Sequence, residues 1–141
     1  MVTSEMMYKL DRHKQVMFAV FCARQIFRIS KPEHIEICLK AIDAAEGFLY
    51  GRVSKQECMN AYADAAYYAS SATYAVGAYA AAANTAIAAG GNHAAPHAHA
   101  AAYCAVYAAG TSNEKTVIVE QNQYYDELLN FDKIVEDILG V

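Results

Sequence analysis

Between Asp64 and Glu114 lie 49 consecutive residues without a single Asp, Glu, Lys or Arg. A helix drawn from this stretch has no charged face to present to water, so lipid, the rest of the chain or a second subunit must cover it. Lipid fits poorly, although about 20 apolar residues suffice to cross a bilayer. The stretch is mostly alanine, Ile87 is its one Leu, Ile or Phe, and Ser70, Ser71, Thr73, Asn84 and Thr85 interrupt it along with three histidines. Membrane helices are built from strongly inserting side chains instead. The sequence therefore predicts no membrane contact, and close-packed helices buried by protein.

The chain has 141 residues, enough for one domain with its own core, so residues 1–141 are expected as a single helical domain. Its opening, "MVTSEMMYKLDRHK", has no apolar run before a small-residue cleavage site, so no export signal is expected and the expected location is cytoplasmic. Cys22, Cys38, Cys58 and Cys104 stand too far apart for a C-x-x-C element. Among reduced thiols they are expected as small core hydrophobes.

Punctuation along the chain sets the helices. Capping boxes of the form S/T-x-x-E occur at 30–33 (SKPE), 54–57 (SKQE) and 111–114 (TSNE), where hydroxyl and carboxylate each take an orphan backbone N–H. Pro32 falls in a first turn, where its missing N–H costs little. Gly51, Gly90 with Gly91, Gly110 and Gly140 act as stops. Five helices are predicted: 5–28, 32–50, 55–89, 93–109 and 113–139. The first carries an apolar stripe of Val16, Val20, Ala23 and Phe27, and the second one of Ile35, Leu39, Ile42 and Leu49. The third counts Tyr62, Tyr67, Tyr74 and Tyr79 among its few large groups, while the last is apolar enough through Val117, Leu128, Phe131, Ile134, Val135 and Ile138 to pack on the bundle or on a partner. Short connections imply antiparallel neighbours. The expected fold is all-α, an up-and-down bundle of about five helices with the Ala-rich pair central.

The stretch "GGNHAAPHAHAAAYCAVYAAG" (90–110) concentrates the groups that could do chemistry. On an ideal helix His93, His97 and Cys104 lie within about 40° of one another and His99 points away. Cys104 sits about 10 Å beyond His97 along the axis, so one ion cannot take all three. A His-x3-His pair needs a third protein ligand and orienting carboxylates, which Asp11, Glu33 or Asp64 would have to bring from other helices. No Glu is followed three residues later by His, which removes a di-iron bundle site. A nucleophilic Cys104 would need a base, and one turn back stands Ala100. The expectations are no metal, no cofactor and no catalytic residue. The surviving small-ligand alternative, or a metal-binding variant of it, is a pocket of His93, His97, Tyr103 and Tyr107. A further alternative is a structural homo-oligomer in which the small-residue helices meet across a symmetry axis.

Charge is divided along the chain. Residues 1–55 carry nine Lys/Arg against six acids, and 112–141 carry two Lys against seven acids. The basic group Lys9, Arg12, His13, Lys14, Arg24, Arg28 and Lys31 is interleaved with Asp11 and the net charge is −4, so a solvated face is expected rather than a nucleic-acid surface. The acidic end, with Glu120, Glu127, Asp132, Glu136 and Asp137, suits a positively charged protein partner.

Several stretches, taken in order, resemble one family. "DRHKQVMFAVFCARQIF" is similar to the opening helix of the Imm-5-like immunity proteins, "AAEGFLYGRVS" resembles their segment with an aromatic ahead of a glycine and a Ser-initiated helix, and "AAGGNHAAPHAH" resembles their A-A-G-x-H run. The resemblance spans residues 10–110. Tyr103 stands near a later histidine of the family, and the acidic part, 111–141, has no counterpart. The resemblance implies a non-enzymatic cytoplasmic protein that binds and neutralises a cognate protein toxin. The residues expected to carry that contact are Glu120, Glu127, Asp132, Glu136 and Asp137.

Overall fold

The computed structural model describes residues 1–29, 31–72 and 75–140, apart from the side chains of Asp132 and Ile134. These residues form an all-α fold of eight α-helices: α1 (Ser4–Met7), α2 (Arg12–Gln25), α3 (Ile35–Leu49), α4 (Lys55–Ser71), α5 (Val76–Gly90), α6 (Ala94–Ala109), α7 (Glu114–Leu129) and α8 (Phe131–Leu139). A 3-10 turn, Ile26–Arg28, extends α2. Eight replaces the predicted five because three expected helices are each interrupted, and each interruption has a local cause.

The first expected helix, 5–28, breaks because Asp11 starts a new one: its Oδ1 accepts from the Lys14 N–H at 2.9 Å, while Thr3 caps the short α1. The third, 55–89, breaks after Ser71. The Ser70 and Ser71 hydroxyls donate back to the Tyr67 carbonyl at 2.9 and 2.8 Å, Ala72 turns extended, and Ala75 takes the left-handed conformation at φ 59°. Thr73 and Tyr74 lie outside the described residues. The last, 113–139, breaks at Asn130, whose backbone leaves the helical region at φ −100°, ψ 6° while its side-chain amide donates to the Asp126 carbonyl at 2.8 Å. Of the three capping boxes, Ser54–Glu57 forms. At 111–114 it does not: Asn113 is the N-cap and makes no side-chain cap bond. Ser30 lies outside the described residues, and α3 begins at Ile35, three residues later than expected, without a side-chain cap.

The centre of the charge-free stretch, α5, is buried by its own chain. Ten of the 15 residues of α5 are buried, among them Ala81, Ala82, Ala86, Ala88 and Ala89, and α2, α3, α4 and α6 surround it. Each alanine removes little apolar area, so the gain comes from how closely these backbones approach. Gly77 and Gly90 mark the two tightest points. A Cβ on Gly77 would stand 2.7 Å from the Ala108 Cβ, and one on Gly90 2.7 Å from the Cys58 Cβ. Since Gly77 opens α5 and Ala108 closes α6, while Gly90 ends α5 and Cys58 begins α4, both neighbours run antiparallel to α5. Gly110 ends α6 at φ 73°, a conformation alanine would strain.

One core runs from Val2 to Leu128. Cys22, Cys38 and Cys58 are buried in it as expected of small hydrophobes, whereas Cys104 is half-buried. The α3 face differs from the predicted stripe: Cys38, Ala41, Ile42 and Ala45 are buried, and Leu39 is exposed. Helix α7 docks on α2 and α6 through Tyr124, stacked on Phe21 at 4.3 Å between centroids, and Tyr125, whose hydroxyl donates to the Met6 carbonyl at 2.8 Å. Beneath them Gln121 donates to Gln25 Oε1 and to the Ala102 carbonyl, leaving its own buried Oε1 without a partner among the described residues. Among the described residues no helix is long and apolar enough to cross a membrane.

Candidate functional site

Helix α6 places the histidines. Gly91 turns extended after α5, His93 becomes the N-cap of α6, and Pro96 fits the first turn because its missing N–H would be unsatisfied there anyway. One turn on, His97 Nδ1 meets Asn84 Oδ1 of α5 at 3.1 Å. The Asn84 amide nitrogen donates to the Ala80 carbonyl, which assigns Oδ1 to His97 and the imidazole proton to Nδ1. Partial burial and the neighbouring His93 push the His97 pKa below its ordinary value. The neutral ring is thus used as an inter-helix hydrogen-bond donor.

The four residues expected to share a pocket do not converge. His93 lines a depression of about 220 Å³ with Tyr8, Arg12 and Gln15. Tyr103 and Tyr107 line another, of about 380 Å³, with Met1, Val106 and Glu114. Helical phase turns Tyr103, six residues from His97, about 120° away, and Tyr107 lies about 15 Å beyond His97 along the axis. The proposed His/Tyr pocket is therefore corrected to two separate surfaces with His97 tied to Asn84. Among the described residues no three His, Cys, Asp or Glu side chains gather as a metal-ligand set. Of the acids considered for such a set, Asp11 caps α2. Burial raises the Cys104 pKa, which keeps it a thiol rather than a thiolate nucleophile.

Three arginines of the N-terminal half are spent on structure, a use that composition does not reveal. Arg12 donates through Nη2 to the carbonyls of Ala89 and Gly91 at 2.6 and 2.7 Å, closing the C-terminus of α5. Arg24 bridges to Glu46 at 2.8 Å and Asp43 at 3.4 Å, tying α2 to α3. Arg28 pairs with Glu120 at 2.5 Å.

That last pair corrects the expected acidic contact surface. Glu120 also accepts from Gln25, and the Arg28 hydrogen bond lowers its pKa, so it is a clamp between α2 and α7 and not a free partner contact. Glu127, Glu136 and Asp137 are exposed and make no ion pair among the described residues. The Asp132 side chain lies outside the described residues. Beside these acids runs a row the sequence reading had allowed to pack on the bundle: Phe131 is 53% exposed, Ile138 78% and Leu139 69%, with Val135 half-buried between them. Positions 131, 135, 138 and 139 share one side of a helix. At the root of the row the Lys14 ammonium stands 5.7 Å from the centre of the Phe131 ring.

Comparison with family models, with curated proteins and with solved structures finds no match to this chain.

Proposed function

We propose that this chain is a non-catalytic, cytoplasmic binding protein of the immunity type, which neutralises a cognate protein toxin by covering it with α8 and the adjoining end of α7. The observation that carries the reading is the exposed apolar row of α8 beside the exposed carboxylates Glu127, Glu136 and Asp137. A helix of this kind costs stability when left in water and is a common form of contact surface, laid into an apolar groove of its partner. Large apolar side chains at its centre supply affinity, and the carboxylates supply orientation and association rate. The partner that fits has an apolar groove with a basic rim, and the charge suits a basic, nuclease-like toxin. The resemblance of residues 10–110 to Imm-5-like proteins supports the immunity type, while the choice of α8 as the contact rests on its exposed row alone.

Growth rescue tests it. Each candidate toxin domain encoded in the neighbourhood of this chain's gene is co-expressed with the wild type, with Ile138→Asp/Leu139→Asp, or with Glu127, Asp132, Glu136 and Asp137 all changed to Lys. Rescue by the wild type and loss of rescue by both variants, each still folded by circular dichroism, is the expected result. Undiminished rescue by both variants, or a neighbourhood without a toxin this chain neutralises, overturns the reading.

A further inference from the structure

A cavity of about 420 Å³ opens where the segment leading into α3 meets the end of α4 and the start of α5. Its volume falls in the range of roughly 300–1,000 Å³ typical of small-ligand sites. The lining is divided by chemistry. Lys31 and Glu33 stand on the rim, His34, Tyr68 and Tyr79 supply rings, and Ser71 a hydroxyl.

The rings form a stepped aromatic wall. His34 lies 4.7 Å from Tyr68 between centroids at a 45° tilt, and Tyr68 stacks on Tyr79 at 5.5 Å and 24°. Tyr79 is 2% exposed, and its hydroxyl oxygen accepts from the His34 backbone N–H at 2.8 Å. Its hydroxyl proton has no acceptor among the described residues, and burial raises the phenol pKa, so the proton stays in place as a donor. Lys31 and Glu33 make no ion pair among the described residues, although they flank the same mouth.

A larger groove of about 630 Å³ between α3 and α4 is a weaker candidate, because its carboxylates are occupied. Glu36 faces His34, Asp43 faces Arg24, and Glu57 completes the Ser54 cap. In the smaller cavity the opposite charges and the phenolic donor are all unspent.

We propose that this cavity binds a small aromatic zwitterion of the class of a free aromatic amino acid. The ligand ring lies against Tyr68 and His34, its carboxylate between Lys31 and the Tyr79 hydroxyl, and its ammonium on Glu33. An aromatic face rewards a planar ring beyond its apolar area, and a paired anion and cation on the rim reward a ligand carrying both charges. This inference is independent of the toxin-binding reading, since the cavity involves neither α7 nor α8.

The probe is L-tryptophan, followed by calorimetry and by amide chemical shifts of the full chain, with tryptamine and 3-indolepropionate as analogues that each lack one charge. Saturable binding is expected, with both analogues weaker. Tyr68→Leu should weaken tryptophan about tenfold, and the rim variants Lys31→Gln and Glu33→Gln about threefold each. Because both rim residues are exposed, those two variants keep the test valid if Tyr68→Leu fails to fold. Lys31→Gln should selectively spare tryptamine and Glu33→Gln 3-indolepropionate. No saturable shifts with tryptophan or phenylalanine up to about 10 mM, or wild-type affinity for tryptophan in both rim variants, overturns the assignment and leaves the cavity a solvated junction.

Discussion

Gly77→Ala tests the claim that backbone proximity, not side-chain bulk, holds the charge-free helices together. The added Cβ would stand 2.7 Å from the Ala108 Cβ, 3.2 Å from the Ala108 Cα and 3.1 Å from the Cys104 carbonyl oxygen. Carbon atoms sit comfortably at about 3.5–4.0 Å, so α5 and α6 must part by on the order of 1 Å. No rotamer can relieve the clash, since each obstacle is backbone or bonded directly to it. Overpacking of this kind costs about 1–3 kcal/mol. Alanine's helix propensity returns at most about 1 kcal/mol over glycine, and less at the second residue of a helix. The net loss should be about 1–2 kcal/mol, a fall in Tm of roughly 3–7 °C for a chain of this length. Urea denaturation with a thermal melt measures it. Ala108→Gly on its own should also destabilise, through propensity, yet the double variant Gly77→Ala/Ala108→Gly should be more stable than the two single losses predict, by about 1 kcal/mol. A Gly77→Ala variant more stable than wild type, or a cycle with no coupling, would refute the reasoning.

Arg12→Ala should destabilise by about 2–3 kcal/mol, because the Ala89 and Gly91 carbonyls lose a charged donor at the end of α5; Arg12→Lys should recover part of it, and an unchanged Tm in the alanine variant would refute the capping role. His97, whose folded pKa lies below the ordinary 6.5, stays neutral in the fold while the unfolded chain takes up a proton, so its contribution is complete above about pH 6.5 and is lost as the pH falls below that value toward the folded pKa. Denaturation midpoints between pH 8 and pH 5 should therefore fall less steeply in His97→Gln than in the wild type, and parallel slopes would refute the shift.

The helical class was legible because alanine, capping residues and glycine stops act locally. The covering of the central helices was legible only as an alternative, since whether α5 is buried by its own chain depends on how α2, α3, α4 and α6 arrange around it. The missed breaks had weak signals. Ser70–Ser71 and Asn130 each stand at a helix break with a side-chain bond to a carbonyl one turn back, and the surrounding helix formers mask that competition in a periodicity count. The His/Tyr pocket failed for a different reason. His93 and His97 share a helix face with each other but not with Tyr103, and the partner that claims His97, Asn84, lies on another helix. The cavity beside Tyr79 could not be read at all, because its rings come from three segments whose meeting is purely tertiary.

The acidic C-terminal part illustrates how a charge count conceals two different uses. Residues 112–141 carry seven acids, but Glu120 is consumed in docking α7: it binds Arg28 and Gln25, beside Gln121 and the Tyr124 stack. Its lowered pKa means that this clamp contributes above the ordinary carboxylate range and is lost as the pH falls through the folded value. Glu127, Glu136 and Asp137 have no such role among the described residues. A charge-reversal test that includes Glu120 would loosen α7 and carry α8 with it, so that a folding defect would read as lost binding. Reversal at 127, 132, 136 and 137, with Glu120 kept, separates the two, because only the surface that remains unspent after folding is available to a partner.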